Sequence, residues 1–128
     1  MATIRAHTTI EQSRKLAEIL PLESADMWWS RCTITDFGDG VLKVSYAVEP
    51  CNISQFRKTK DDIPCWSLAA LLDILDYPQL SKDKLGSVKE GWMVSVYPND
   101  CRYDSCWQDN PIDACVAMIE KLNKLKLL

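Results

Sequence analysis

The order of helix-type and strand-type segments is the feature that most constrains the fold of this chain. Apolar residues recur at helical spacing in three separate segments, residues 9–20, 64–75 and 111–125. Residues 31–49 and 79–108 instead contain runs in which apolar and polar residues alternate, as in half-buried strands. The two kinds of segment do not follow each other as regular βαβ units. We therefore predict an α+β fold, sandwich-like, with a mainly antiparallel sheet and about three helices packed on its faces.

Capping signals define the ends of two of these helices. Thr8 stands three residues before Glu11, which is the spacing of a capping box, and Pro21 stops the helical pattern. Asn110 and Pro111 are residue types preferred at the N-cap and the first helical position. The first helix is therefore predicted to follow Thr8, and the last helix to follow Asn110.

The middle helix and the core are predicted from apolar stripes. Pro64 suits a first helical turn, so the middle helix is expected to begin there. Cys65 falls in that turn, and Cys115 lies on the apolar stripe of the last helix, so both thiols are expected to be buried. Leu72 and Ile119 are predicted core positions, and truncating either to Ala is expected to cost about 2–5 kcal/mol through lost burial and a cavity.

The strand-type segments give more local predictions. Residues 31–49 are predicted to form a hairpin, because residues 36–40 contain two glycines that tolerate a positive φ. Residues 50–62 are polar and irregular and are predicted to form a loop. Residues 105–108 are predicted to return as a short strand after a turn.

Length and charge limit the classes of function. With 128 residues, the chain has the usual size of one domain, so residues 1–128 are predicted to form a single domain. No apolar run is long enough to cross a bilayer, and no secretory signal precedes the first helix, so a cytoplasmic location is predicted. A net charge of −3 provides no basic stripe, so neither nucleic acid nor a membrane is an expected partner.

Sequence motifs give no support for catalysis. His7 is the one histidine, it lies at the edge of the predicted first helix, and no serine, cysteine or acid is adjacent to it in the sequence. It is expected to be an exposed terminal residue. Phosphate loops, nucleophile elbows and zinc-protease motifs are missing from the sequence. No enzyme activity, catalytic residue or cofactor is therefore predicted.

Two cysteines leave an alternative open. Cys101 and Cys106 have the spacing C-x4-C and could supply half of a metal site that Cys65 or His7 completes. Structural zinc sites usually have two close cysteine pairs, so no metal ligand is predicted. The alternative function is a small enzyme or metal-binding protein that uses Cys101, Asp104 and Cys106 at a hairpin tip.

Aromatic residues point instead to protein contacts. The chain has five tryptophans, and Trp28 and Trp29 are adjacent. Neighbouring residues of a strand point to opposite faces, so both rings can hardly enter one small core. We predict that Trp28 and Trp29 provide a contact surface. The other interpretation is that one ring packs under the first helix while its neighbour covers the hairpin.

Four blocks of the sequence, TIEQSRKLAEIL, ESAD, IPCWSLAALL and DNPIDACVAMI, carry a resemblance. They resemble a family of small uncharacterised proteins from Bacteroides-type gut bacteria and their phages or mobile elements. The C-terminal part is also similar to phage α-β-α sandwich domains. The resemblance implies a phage or mobile-element origin and no particular activity.

These observations together predict a function. The chain is expected to be a non-enzymatic binding or accessory protein that acts through an unknown protein partner or as a homo-oligomer. Hairpins with exposed edges favour this prediction, because such edges pair readily with another chain.

Overall fold

The computed structural model of the chain describes four segments: residues 5–35, 42–50, 63–85 and 89–128. They belong to two compact units. One unit is Thr9–Trp66, and the other combines Met1–Thr8 with Ser67–Leu128. Each unit contains helix and antiparallel sheet, so the predicted α+β class is confirmed. The extent of a single domain over the whole chain stays a prediction.

In its described residues, the unit Thr9–Trp66 has one α-helix and a three-stranded sheet. Its elements are helix α1 (Ile10–Ile19) and strands β1 (Met27–Thr35), β2 (Leu42–Pro50) and β3 (Ile63–Cys65). The strand order is β2-β1-β3, and both pairs are antiparallel. Helix α1 contacts β3, so the helix and the sheet share the core of this unit.

The predicted hairpin is present as β1 and β2, but it begins earlier in the chain than predicted. Strand β1 starts at Met27 rather than at residue 31 because its first three residues also pair with β3. A short 3-10 turn, Leu22–Ser24, precedes it. Strand β2 includes Pro50, which was predicted to belong to the loop. The predicted turn at 36–40 and the rest of the predicted loop lie outside the described residues.

The cap of α1 is one residue later than predicted. Thr9, not Thr8, is the N-cap, and its hydroxyl accepts a hydrogen bond from the N–H of Gln12 at 3.1 Å. The side-chain oxygen of Gln12 accepts from the N–H of Thr9, also at 3.1 Å. Gln12 therefore has the role that the sequence pattern gave to Glu11, while Thr8 is fully buried.

The described part of the second unit has two α-helices and a second sheet. Its elements are helix α2 (Leu68–Ile74), strands β4 (Gln79–Leu85), β5 (Lys89–Val96) and β6 (Tyr103–Asp104), and helix α3 (Pro111–Lys124). The strand order is β4-β5-β6, again antiparallel. Helix α3 contacts both α2 and β5.

Helix α2 begins at Leu68, so the predicted start at Pro64 is wrong. Ser67 is its N-cap, and the Ser67 hydroxyl accepts from the N–H of Ala70 at 3.2 Å. Pro64 instead lies in β3, opposite Trp28 of β1. The pairing with β1 is a long-range interaction, and it overrides the local preference of proline for a helix start.

The core of the second unit lies along α3. Cys115 and Ile119 are fully buried, as predicted. Leu72, also predicted as core, is half-buried, whereas its neighbour Leu71 is fully buried. The buried residues of α3 follow the apolar stripe of the sequence: Pro111, Ile112, Ala114, Cys115, Val116, Met118, Ile119 and Leu122.

The helices in the described part of the chain do not reach the length of a membrane-spanning helix. No described helix combines the length and the apolar character needed to cross a bilayer, and α3 has 14 residues.

Candidate functional site

The β6 segment, residues 101–108, contains the three residues of the alternative function and several of the side-chain hydrogen bonds of its unit. It follows a 3-10 turn, Pro98–Asp100, whose carbonyl at Pro98 accepts from the N–H of Cys101 at 3.1 Å. Asn99 and Asp100 in this turn have positive φ, so the chain reverses direction sharply here.

A β-bulge divides the β6 segment. Asp104 lies opposite Ser95 of β5, but Gln108 lies opposite Trp92. The segment therefore advances four residues (108 − 104) while β5 advances three (95 − 92). The predicted strand at residues 105–108 is wrong for this reason: the paired strand is Tyr103–Asp104, and the bulge follows it.

Ser105 holds the bulge against β5. Its N–H donates to the carbonyl of Val94 at 2.9 Å, as in a regular ladder. Its hydroxyl accepts from the N–H of Val94 at 3.0 Å, a bond that a backbone carbonyl would accept in an unbroken strand. The side chain thus satisfies a buried donor that the bulge would leave without an acceptor.

Asp104 is held by two donors. One carboxylate oxygen, Oδ1, accepts from the hydroxyl of Ser95 at 2.6 Å and from Nε of Arg102 at 2.9 Å. The bond from Ser95, followed by the bond from Arg102, lowers the pKa of Asp104. In turn, the hydrogen bond to Asp104, followed by the charge of Asp104, raises the pKa of Arg102. At neutral pH, Asp104 is therefore a charged acceptor that fixes neighbouring groups.

Lys121 of α3 covers the outer edge of β6. Its Nζ donates to the backbone carbonyl of Asp104 at 2.9 Å. An outward-pointing carbonyl of an edge strand is thereby satisfied within the chain. Sequence reasoning missed Lys121, Ser95 and Ser105, because no local pattern marks a contact between residues so far apart in the sequence.

The cysteines of the segment do not form a site with Asp104. Cys101 and Cys106 are exposed and carry reduced thiols, whereas burial raises the pKa of Cys115 to about 12. Within the described ranges, no three His, Cys, Asp or Glu side chains are grouped so that they could hold a metal ion. Cys65, proposed as a completing ligand, is fully buried. The alternative function therefore gains no support from the geometry.

Trp107 is the aromatic residue that the β6 segment exposes. About 37% of its surface is accessible, and the neighbouring Cys106 is exposed as well. Trp92, across the bulge, is half-buried, and Nζ of Lys82 lies 5.3 Å from its ring centroid. Arg102 of the same segment is also exposed. Tryptophan and arginine are the residue types that dominate protein interfaces.

Beside this segment, one face of α3 borders a depression of about 320 Å³. Ala117 and Leu125 give it an apolar floor, and Leu125 is exposed. Glu120, Lys121 and Lys124 provide charges of both signs around it. Because Lys121 also contacts Asp104, this face of α3 adjoins the β6 segment.

The predicted contact pair, Trp28 and Trp29, lies in β1, the central strand of its sheet. Both residues are half-buried, and their side chains point to opposite faces because they are consecutive in a strand. The indole N–H of Trp29 donates to the hydroxyl of buried Ser13 in α1 at 3.3 Å. Trp29 thus faces α1, and a contact role for the pair stays a prediction.

His7 is not the exposed terminal residue that was expected. It is half-buried, and its backbone forms an isolated antiparallel bridge with Ser67. The bridge joins the start of the described chain to Ser67, the N-cap of α2, so the backbone of His7 has a structural role.

Comparison with known proteins gives no relative. No family model matches the chain, and neither the curated proteins nor the solved structures contain a match to it. The fold defines a small α+β protein, and the resemblance to the gut-bacterial family stays a prediction.

Proposed function

We propose that this chain is a non-enzymatic accessory protein that binds another protein through the β6 segment. The observation that carries the proposal is exposed Trp107, placed on a segment that side-chain hydrogen bonds hold against β5 and α3. An aromatic ring on a fixed backbone loses little conformational entropy when a partner covers it. Trp107 would be the anchor of the contact, with Arg102 as a second exposed residue of the same segment.

The state of Asp104 supports binding over catalysis. A general acid or base that works near neutral pH needs a carboxyl group with a raised pKa. The pKa of Asp104 is lowered instead, and its Oδ1 accepts from Ser95 and Arg102. These bonds orient Arg102 and fix the strand, which are roles suited to a binding surface.

The proposal includes a setting for the protein. The resemblance described above supports a prophage or mobile-element origin. We place the protein in the cytoplasm, where the exposed thiols of Cys101 and Cys106 would stay reduced. No cofactor, nucleic acid or membrane is part of the proposal. Trp28 and Trp29 remain a second predicted contact surface on the other unit.

Site-specific photo-crosslinking in the native cell tests this function. A photoreactive phenylalanine derivative replaces Trp107 in one variant and Tyr77 in the control, because Tyr77 is 85% exposed and lies outside the β6 segment. We expect one discrete high-mass adduct from position 107 and none from position 77. No adduct at position 107, or the same adducts at both positions, would contradict the proposal.

A second measurement follows once the adduct is identified by mass spectrometry. Trp107→Ala should weaken binding of that partner by at least about thirtyfold, the effect of losing a buried aromatic anchor. About 63% (100 − 37) of the Trp107 surface is covered within the chain, so the melting temperature is expected to fall, and affinity is compared at a temperature at which thermal denaturation shows the variant folded. Unchanged affinity would show that Trp107 is close to the partner without anchoring it.

A further inference from the structure

Strand β2 is an edge strand with a long outer side. It has nine residues and pairs with β1 on one side. Among the described residues, no strand pairs with its other side. A long edge strand presents a row of N–H and C=O groups that another chain can pair with, so its residue pattern determines which partner fits.

We propose that β2 pairs antiparallel with β2 of a second copy of this chain, around a twofold axis at Tyr46. In an antiparallel self-pairing, the numbers of opposed residues have a constant sum. The register that pairs all nine residues, Leu42–Pro50, has the sum 92 (42 + 50), so Tyr46 lies opposite itself. Such an interface is isologous and closes at two copies.

The full-length register also matches charge. Lys43 and Glu49 are the two charged residues of β2, and their numbers also add to 92 (43 + 49). Lys43 of each copy therefore lies opposite Glu49 of the other copy, which gives two such pairs in the dimer. Opposite charges at directly opposed positions favour an antiparallel pair, and like charges there disfavour it.

Four pairs of the register remain. Val44 lies opposite Val48, Ser45 opposite Ala47, Tyr46 opposite Tyr46, and at each end Leu42 lies opposite Pro50, which has no N–H to donate. β-Branched and aromatic residues at opposed positions are the cross-strand pairs that stabilise a sheet. In this register, no charged residue of β2 therefore lies opposite an apolar residue or a residue of the same charge.

Strand β4, a second edge strand, shows the opposite pattern. Its full-length self-pairing over Gln79–Leu85 has the sum 164 (79 + 85), which places Lys82 opposite Lys82. Like charges would meet at the centre of that pairing. The outer edge of β6 is short and is covered by Lys121. The residue patterns thus favour self-pairing at β2 and disfavour it at β4.

Charge reversal with rescue tests the dimer by sedimentation equilibrium on the full chain. Lys43→Glu and Glu49→Lys each create two like-charge pairs, so each should weaken dimerisation at least about tenfold. The double variant Lys43→Glu/Glu49→Lys restores opposite charges and should return to within about threefold of the original chain. Lys124→Glu is the matched control, because Lys124 is an exposed residue of α3.

These substitutions are chosen so that effects on folding can be told apart from effects on dimerisation. Within the chain, Lys43 lies opposite Ile34 and Glu49 opposite Trp28, so neither substitution breaks a directly opposed ion pair of the hairpin. If one single variant fails to fold, the other single variant and the double variant together still decide. A monomeric original chain, single variants that dimerise normally, or a double variant as weak as the singles would each overturn the proposal. The result is independent of the Trp107 contact, because the charge-reversal variants leave Trp107 unchanged and it belongs to the other unit.

Discussion

The outer edges of β6 and β2 pair with no further strand among the described residues, and they differ in whether the chain itself covers them. Strand β6 has two paired residues, a bulge directly after them, and a carbonyl at Asp104 that Lys121 satisfies. Strand β2 has nine residues, and its two charges are arranged so that a second copy fits. The difference teaches that one edge is protected by the chain itself, while the other is suited to a partner of the same sequence.

The largest effect is expected in the core that holds α3, the helix that carries Lys121. Ile119→Ala should lower the free energy of unfolding by about 2–5 kcal/mol, because a fully buried side chain is replaced by a cavity. Leu125→Ala, at an exposed position just after α3, should change it by less than about 0.5 kcal/mol. Urea denaturation measures both. Equal losses of stability in Ile119→Ala and Leu125→Ala would mean that the buried side of α3 does not hold this helix against the β6 edge.

A smaller effect is expected at the bulge. Ser105→Ala removes the acceptor of the buried Val94 N–H and should cost about 1–3 kcal/mol in urea denaturation. Cys106→Ala, at the next residue, is the control and should be close to neutral, because Cys106 is exposed. A neutral Ser105→Ala would show that the bulge does not depend on this hydroxyl.

The hydrogen bond from Lys121 to the carbonyl of Asp104 in β6 is expected to contribute less to the free energy of unfolding. Lys121→Met keeps most of the side-chain length but removes the donor to the Asp104 carbonyl, so the loss in stability should stay below about 1 kcal/mol. Lys124→Met is the matched control on the same helix. Self-association should not increase in either variant, because the two paired residues of β6 and the bulge after them still limit the edge. New association in Lys121→Met alone would show that the short strand and the bulge are not sufficient without Lys121.

The smallest effect is a change in pH dependence. The pKa of Asp104 in the folded chain is lowered from its ordinary 3.8, so its contribution to stability is present above that value and is lost as the pH falls through the folded pKa. Ser95→Ala removes the largest cause of the shift, so the pKa of Asp104 should rise towards 3.8. Carboxyl ¹³C NMR titration measures it. A pKa that does not move would mean that Ser95 is not the donor in solution.

Local signals explain which parts of the fold the sequence predicted. Asn110 caps α3 through its side chain, which accepts from the N–H of Ile112, and the apolar stripe that follows is buried. These features depend on residues within one or two turns of each other, and they are read directly from spacing. The fold class followed from the same kind of pattern.

Long-range pairing explains what the sequence did not predict. Ile63–Cys65 is a strand because it pairs with β1, and the bulge after Asp104 exists because Gln108 pairs with Trp92. The bonds from Ser95 and Lys121 to Asp104 depend on the resulting arrangement. No local pattern encodes these partners. The exposure of Trp107 likewise accompanies its place in the bulge, which the count of tryptophans could not reveal.

Amide hydrogen exchange, resolved by residue with NMR, tests the contrast between the two edges most directly. In an antiparallel pair, alternate residues of a strand direct their N–H groups to the new neighbour. We predict that alternate amides of β2 exchange more slowly as protein concentration rises, while amides of β5, a central strand, do not change. Exchange in β2 that is the same at every concentration would contradict the account.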